Sequence, residues 1–181
     1  MEEIDRSNPD WKEAAAQALR RLIEDNELGG YEICTTIPME HVLIRNLSFP
    51  FSDINKIAAV LPSEAEEQMP VEPEKLVLDF KPLYPVEEGT CVLAAGIHQD
   101  SLDAFLGVFE AAGVRPGFMG LESVSLYETY RYFNPPVDES AVLLNIGHTK
   151  IVIAIVENGK LIYTRAVHTG TGDMQRAVAE I

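Results

Sequence analysis

The spacing of apolar positions changes several times along the chain, and each change marks an element. From Trp11, the residues Ala15, Ala18, Leu19, Leu22 and Ile23 recur at helical intervals. Asp10 and Glu13 have the spacing of a capping box, and Gly29-Gly30 ends the helix. "YEICTTI" and "HVLIRNLSF" are β-type runs that read as a hairpin, with Pro38 interrupting the ladder. A second helix starts at Asp53 on the face Ile54, Ile57, Ala58 and Leu61, with a kink or restart expected at Pro62-Ser63. "KLVLDF" predicts a strand and "PLYPVEEG" a loop. "TCVLAAGI" is continuously apolar, as expected of a strand buried on both faces.

"SLDAFLGVFEAAG" predicts an amphipathic helix stopped by Gly113, and "VRPGFMGLE" a short strand or extended link. "SVSLYETYRYF" predicts a helix with Leu126, Tyr130 and Phe133 on one side, ended by Asn134-Pro135-Pro136 in a natural boundary segment. The pattern then switches to period two. "LLNIGHTKIVIAIVENGKLIYTR", residues 143 to 165, predicts a three-strand meander, and Asn158-Gly159 is a strong type I′ turn signal. "GDMQRAVAEI" opens a last helix whose face of Met174, Ala177, Val178 and Ile181 has only begun when the sequence stops. Mixed α/β or α+β architecture follows, with the expectation of a partial fold.

Composition narrows the function classes. The chain has 181 residues, 46% of them hydrophobic, enough for one or two packed cores. A formal net charge of −15 opposes phosphate-rich or anionic lipid surfaces, so neither nucleic acid nor direct membrane adsorption is expected. The longest apolar run, Ile151 to Val156, falls far short of the roughly 20 residues of a spanning helix. "MEEIDRSNPDW" lacks the pattern of a secretory leader, so the expected location is the cytoplasm. Cys34 and Cys91 lie in apolar runs and are expected as buried free thiols. His41, His98, His148 and His168 are dispersed, and no structural metal is expected.

The candidate chemistry lies in two glycine-bearing turns. Asn145-Ile146-Gly147-His148-Thr149 joins the first two meander strands. There Gly147 would let backbone N–H groups approach a phosphate and Thr149 would add a hydroxyl, whereas Asn145 brings no charge to attract a magnesium ion. An ordinary hairpin turn, with Asn145 capping backbone groups and Gly147 at positive φ, explains the same residues. "HTGTGDM", with Gly170 and Thr171, precedes a helix and suits either a phosphate or a plain helix entry with Asp173 near the cap. The cluster Glu64, Glu66 and Glu67 reads as a solvated helix face.

Three segments carry a resemblance to a known family. "CTTIPMEHVLIRNLSFPFSDINKIAAVLPSEAEEQMPVEPEKLVLDF", "VLAAGIHQDSLDAFLGVFEAAGVRPGFMGLES" and "AVLLNIGHTKIVIAIVENGKLIYTRAVHTGTGDM" resemble the actin-like PilM family of type IV pilus assembly. The chain is also similar to the cytoplasmic domain of the L subunit of type II secretion and, more distantly, to FtsA. The resemblance implies an actin-like (ribonuclease H-like) ATPase fold, here a partial one. Residues 1–30 would be the N-terminal helix of the first large subdomain and 31–83 an inserted small subdomain. Residues 84–138 would complete the first large subdomain, and 139–181 would open the second.

Relatives carry an Asp-Ile-Gly hairpin ahead of the first helix, which this sequence lacks, and Asp where Asn145 stands. Nucleotide hydrolysis by this chain is therefore not expected. Phosphate contact through Asn145, Gly147, His148, Thr149, Gly170 and Thr171 remains a hypothesis, and no cofactor is expected, ATP and magnesium belonging to a longer protein.

What the resemblance implies is a non-enzymatic scaffold of the inner-membrane platform, cytoplasmic and peripheral. It would grip the cytoplasmic tail of a membrane-anchored partner and connect it to the assembly ATPase. The tail of that partner lies, in PilM-type relatives, between the first large subdomain and the inserted one. Leu47, Phe49 and Phe51 are candidates for contact with it, or else core of the inserted subdomain. The alternative is a nucleotide-binding actin-like ATPase that needs segments absent from this sequence. The Ile- and Val-rich edge of the meander predicts self-association through that edge or a swap of the last helix with a neighbour.

Overall fold

The structure is a computed structural model that describes residues 10–69, 75–134 and 139–180. The expected boundary at Pro135-Pro136 and the last apolar helix position, Ile181, lie outside the described residues. The chain forms two compact units, Met1–Ile37 with Gln99–Gly120, and Pro38–His98 with Leu121–Ile181.

In the first unit, α1 (Trp11–Asp25) packs with α3 (Gln99–Ala111), and β1 (Cys34–Ile37) pairs with β5 (Phe118–Leu121). Arg20 Nη2 donates to the carbonyl of Ala111 at 2.7 Å, which ties the two helices. Asp10 occupies the N-cap position, but its side chain makes no capping hydrogen bond, so the expected capping box is not formed. The helix is most buried at Ala16, while Leu22 is exposed. Gly113, at φ +74°, ends α3 as expected, and Val114 N–H reaches back to Phe109 O at 2.9 Å. Cys34 is exposed, contrary to expectation, on a four-residue strand of a two-stranded sheet with little to cover it.

The second unit holds two antiparallel three-stranded sheets. One has the order β2 (Val42–Phe49), β4 (Gly89–His98), β3 (Leu76–Val86), and the other β6 (Ser140–Ile146), β7 (Ile151–Glu157), β8 (Lys160–Val167). The expected hairpin of "YEICTTI" with "HVLIRNLSF" is absent. A 3₁₀ turn, Met39–His41, follows Pro38, and β2 instead pairs along its whole length with β4. The expected loop after Phe80 is also strand: β3 continues to Val86 with an irregularity between Pro82 and Tyr84. Proline is tolerated there because β3 is an edge strand and needs no donor on its outer side.

This sheet also divides the chain differently from the expected 31–83 subdomain. Residues 31–37 fall in the first unit, and β4 completes the sheet of β2 and β3 instead of joining the segments that follow it.

Each face of β4 meets a core, as its unbroken apolar sequence implies. On one side Val92 and Ala94 join Leu47, Phe49, Ile57, Leu61, Ala65 and Met69, the last four from α2 (Ile54–Gln68) and the residue after it. Helix α2 is capped by Asp53, whose Oδ1 accepts from the N–H groups of Asn55 and Lys56, and it runs through Pro62 without a break. Its Glu64, Glu66 and Glu67 are exposed, as a solvated face should be.

On the other side Leu93 joins Tyr127 of α4 (Glu122–Phe133) with Ala154, Val156 and Leu161 of the meander. Tyr127 Oη donates to Gly159 O at 2.9 Å, pinning the Asn158-Gly159 turn, where both residues have positive φ. The buried face of α4 is centred on Ser123 and Tyr127; Phe133, expected on it, is exposed. The chain closes with α5 (Thr171–Ala179).

Candidate functional site

The β6–β7 turn and the start of α5 meet. Gly147 N–H donates to Lys150 O at 2.9 Å and closes the turn. The carbonyls of Gly147 and His148 then accept from Thr171 N–H at 2.9 Å and Gly172 N–H at 3.0 Å. Gly170 N–H donates to Asp173 Oδ2 at 2.8 Å, and the N–H groups of Asp173 and Met174 turn back to Gly170 O. The donors that a helix N-terminus presents to an anion are thus engaged by the chain's own oxygens.

The glycines have a packing reason. A Cβ on Gly170 would lie 2.2 Å from His148 O, and one on Gly172 would lie 2.7 Å from the His148 ring. Gly147 is not among the glycines at positive φ, so that part of the ordinary-turn expectation is corrected. The Asp173 carboxyl is held below the usual carboxylate range by the Gly170 N–H and then by Arg176, which places a negative charge beside the helix entry.

Asn145 points elsewhere, its Nδ2 donating to Glu122 Oε1 at 2.9 Å. Glu122 is also a partner of Lys150, whose Nζ lies 2.9 Å from Glu122 Oε2 and 2.6 Å from Glu40 Oε2. These three side chains are mostly buried, with 18%, 20% and 19% of their surface exposed for Lys150, Glu122 and Glu40. Desolvation is the largest single influence on Lys150 and lowers its pKa, yet the hydrogen bonds and charges of the two glutamates outweigh it and raise the pKa. At Glu40 burial pushes upward, and Lys150 together with a backbone hydrogen bond brings the carboxyl below its ordinary value.

Sequence reading singled out Asn145 but missed Lys150, Glu122 and Glu40, because their association depends on tertiary contact across 110 residues. Of the candidates for partner contact, Leu47 and Phe49 are core residues facing α2, the second of the two readings their sequence allows. Phe51 is half-buried beside Phe49, with ring centroids 5.8 Å apart. Thr149 is exposed at the tip of the turn.

A family model described as type IV pilus assembly protein PilM matches residues 4–180. The chain belongs to the PilM family. Comparison with curated proteins gives no match. Among solved structures it is similar to a chain of a PilM-PilN type IV pilus biogenesis complex, with TM-score 0.80 and 24% identity over 92% of this chain and 51% of that one.

It is also similar to the cytoplasmic domain of EpsL, an inner membrane component of the type II secretion system of Vibrio cholerae. There the TM-score is 0.62 and the identity 13%, over 87% of this chain and 56% of the relative. A Bacteroides thetaiotaomicron protein with an actin-like ATPase fold gives TM-score 0.50 and 14% identity, over 99% of this chain and 63% of that one. This PilM-family chain therefore has a mixed α/β, actin-like fold and spans about half the length of the first two structures. No helix among its described residues is long and apolar enough to cross a membrane.

Proposed function

We propose that this PilM-family chain is a non-enzymatic adaptor of the inner-membrane platform in type IV pilus assembly. It acts on the cytoplasmic side, holds the cytoplasmic tail of a membrane-anchored protein and connects it to the assembly ATPase. The observation that carries this reading is the family match over residues 4–180, supported by the similarity to a relative described in complex with PilN.

The alternative, an actin-like ATPase completed by further segments, draws on the fold of the relatives. Against it stand the engaged donors of the β6–β7 turn and the α5 N-terminus, and the Asp173 charge beside them. The test is a pull-down of the chain against two baits, the cytoplasmic tail of the membrane-anchored platform protein and the N-terminal domain of the assembly ATPase. Capture by either bait without nucleotide is expected. Capture by neither, with recovery when the chain is extended and given ATP, would replace the adaptor with the nucleotide-dependent reading.

A further inference from the structure

Two sheet edges of the second unit border one cleft without pairing. β2 is the outer strand of one sheet and β8 of the other, and they form no ladder with each other. Asn46 Nδ2 donates to Ile162 O at 2.8 Å between them. Beyond it the strands pass in opposite directions along a cleft of about 420 Å³, with Ile44 and Arg45 on one wall, Thr164, Arg165 and His168 on the other, and Glu40 among the lining residues. An edge strand carries N–H and C=O groups with no partner on its outer side, and an extended peptide that adds a strand satisfies them.

The side chains point to the character of such a peptide. The molecule carries a net charge of −15, yet arginines from both walls reach this cleft. Arg45 is steadied by its own carbonyl contacts, Nε to Gln68 O at 3.2 Å and Nη1 to Ile44 O at 2.8 Å, neither of which neutralises its charge. Arg165 has no ion pair or hydrogen bond among the described residues. The carboxylate of Glu40 is already matched by Lys150.

Thr164 lines the cleft, but its hydroxyl is turned away from it. Only 9% of this residue is exposed, and its buried Oγ1 has no hydrogen-bond partner. A hydroxyl left in that state costs about 1–3 kcal/mol.

We propose that the cleft between β2 and β8 binds a short extended peptide from another protein, which adds a strand to one or both edges and sets an acidic side chain against Arg45 and Arg165. This site stands apart from the adaptor reading and does not depend on it.

Selection of a phage-displayed random heptapeptide library on the full chain tests the proposal, followed by fluorescence anisotropy with the enriched peptide. The expected peptides are β-prone and carry Asp or Glu at a recurrent position. Arg165→Glu should weaken binding at least about tenfold, the scale of losing one close charge pair, and replacing the acidic residue of the peptide by Lys should recover binding to that variant. Arg131→Glu, at an exposed position of α4, is the control and should leave binding unchanged. Hydrogen exchange should show the peptide protecting amides of β2 and β8, a readout that loss of folding in a variant cannot mimic. No enriched peptide, enrichment without acidic residues, indifference to Arg165→Glu, or protection confined to other strands would each overturn the proposal.

Discussion

Lys150 shows what a single residue does in this molecule. Its ammonium sits between Glu40 and Glu122, mostly out of water, so removing it leaves two mostly buried carboxylates without their shared cation. Lys150→Met should lower unfolding stability by about 1–3 kcal/mol, read as a shift of the urea midpoint at pH 7. The pH dependence follows from the shifts. Glu40 is lowered in the fold, so its contribution is present above the ordinary 4.5 and is lost as pH falls through the lower folded value. Lys150 is raised, so its contribution is present below the ordinary 10.5 and is lost as pH rises through the higher folded value. Urea midpoints measured across pH should therefore decline at both extremes, and Lys150→Met should lose the alkaline decline that Lys150 causes. Gly170→Ala forces a methyl group onto His148 O, and the expected result is faster hydrogen exchange at Thr171 and Gly172 while the amides of β4 keep their protection.

Among the elements, α2 and β2 together separate core from surface. Leu47 and Phe49 project from β2 onto Ile57, Leu61 and Ala65, so they hold the helix on the sheet and cannot also face a partner. Leu47→Ala should cost about 2–5 kcal/mol in urea unfolding, whereas Asp53→Ala, which removes only the N-cap of α2, should cost about 1 kcal/mol. Equal losses at the two positions would contradict the core assignment of Leu47. The meander has the opposite problem. Its inner face is buried by α4, but Val142, Leu144 and Ile146 of edge strand β6 remain 62%, 52% and 49% exposed.

For the whole molecule, that apolar edge works against a charge of −15, which keeps copies apart at low ionic strength. Self-association is expected to rise with salt as the repulsion is screened. Light scattering at high concentration should detect it, and Leu144→Lys should reduce it. A monomer at every salt concentration would refute this expectation. Titration calorimetry with magnesium-ATP should give no heat, because the hairpin and α5 donors already hold oxygens of the chain.

What the sequence determined by itself was whatever depends on neighbouring residues. The meander, the Asn158-Gly159 turn, the Asp53 cap, the Gly113 stop and the doubly buried β4 all follow from periodicity and turn chemistry within a few residues. The resemblance to the PilM family was also legible, since it rests on the order of those segments. Tertiary structure decided which strands share an edge, because a β-type run does not name its partner: "HVLIRNLSF" chose β4 over its neighbour, and "PLYPV" became strand by lying at a sheet edge. It also decided that Lys150 meets Glu40 and that the glycines before α5 receive carbonyls of the β6–β7 turn. Those pairings join residues far apart in the chain, and their energies depend on burial that no local pattern records.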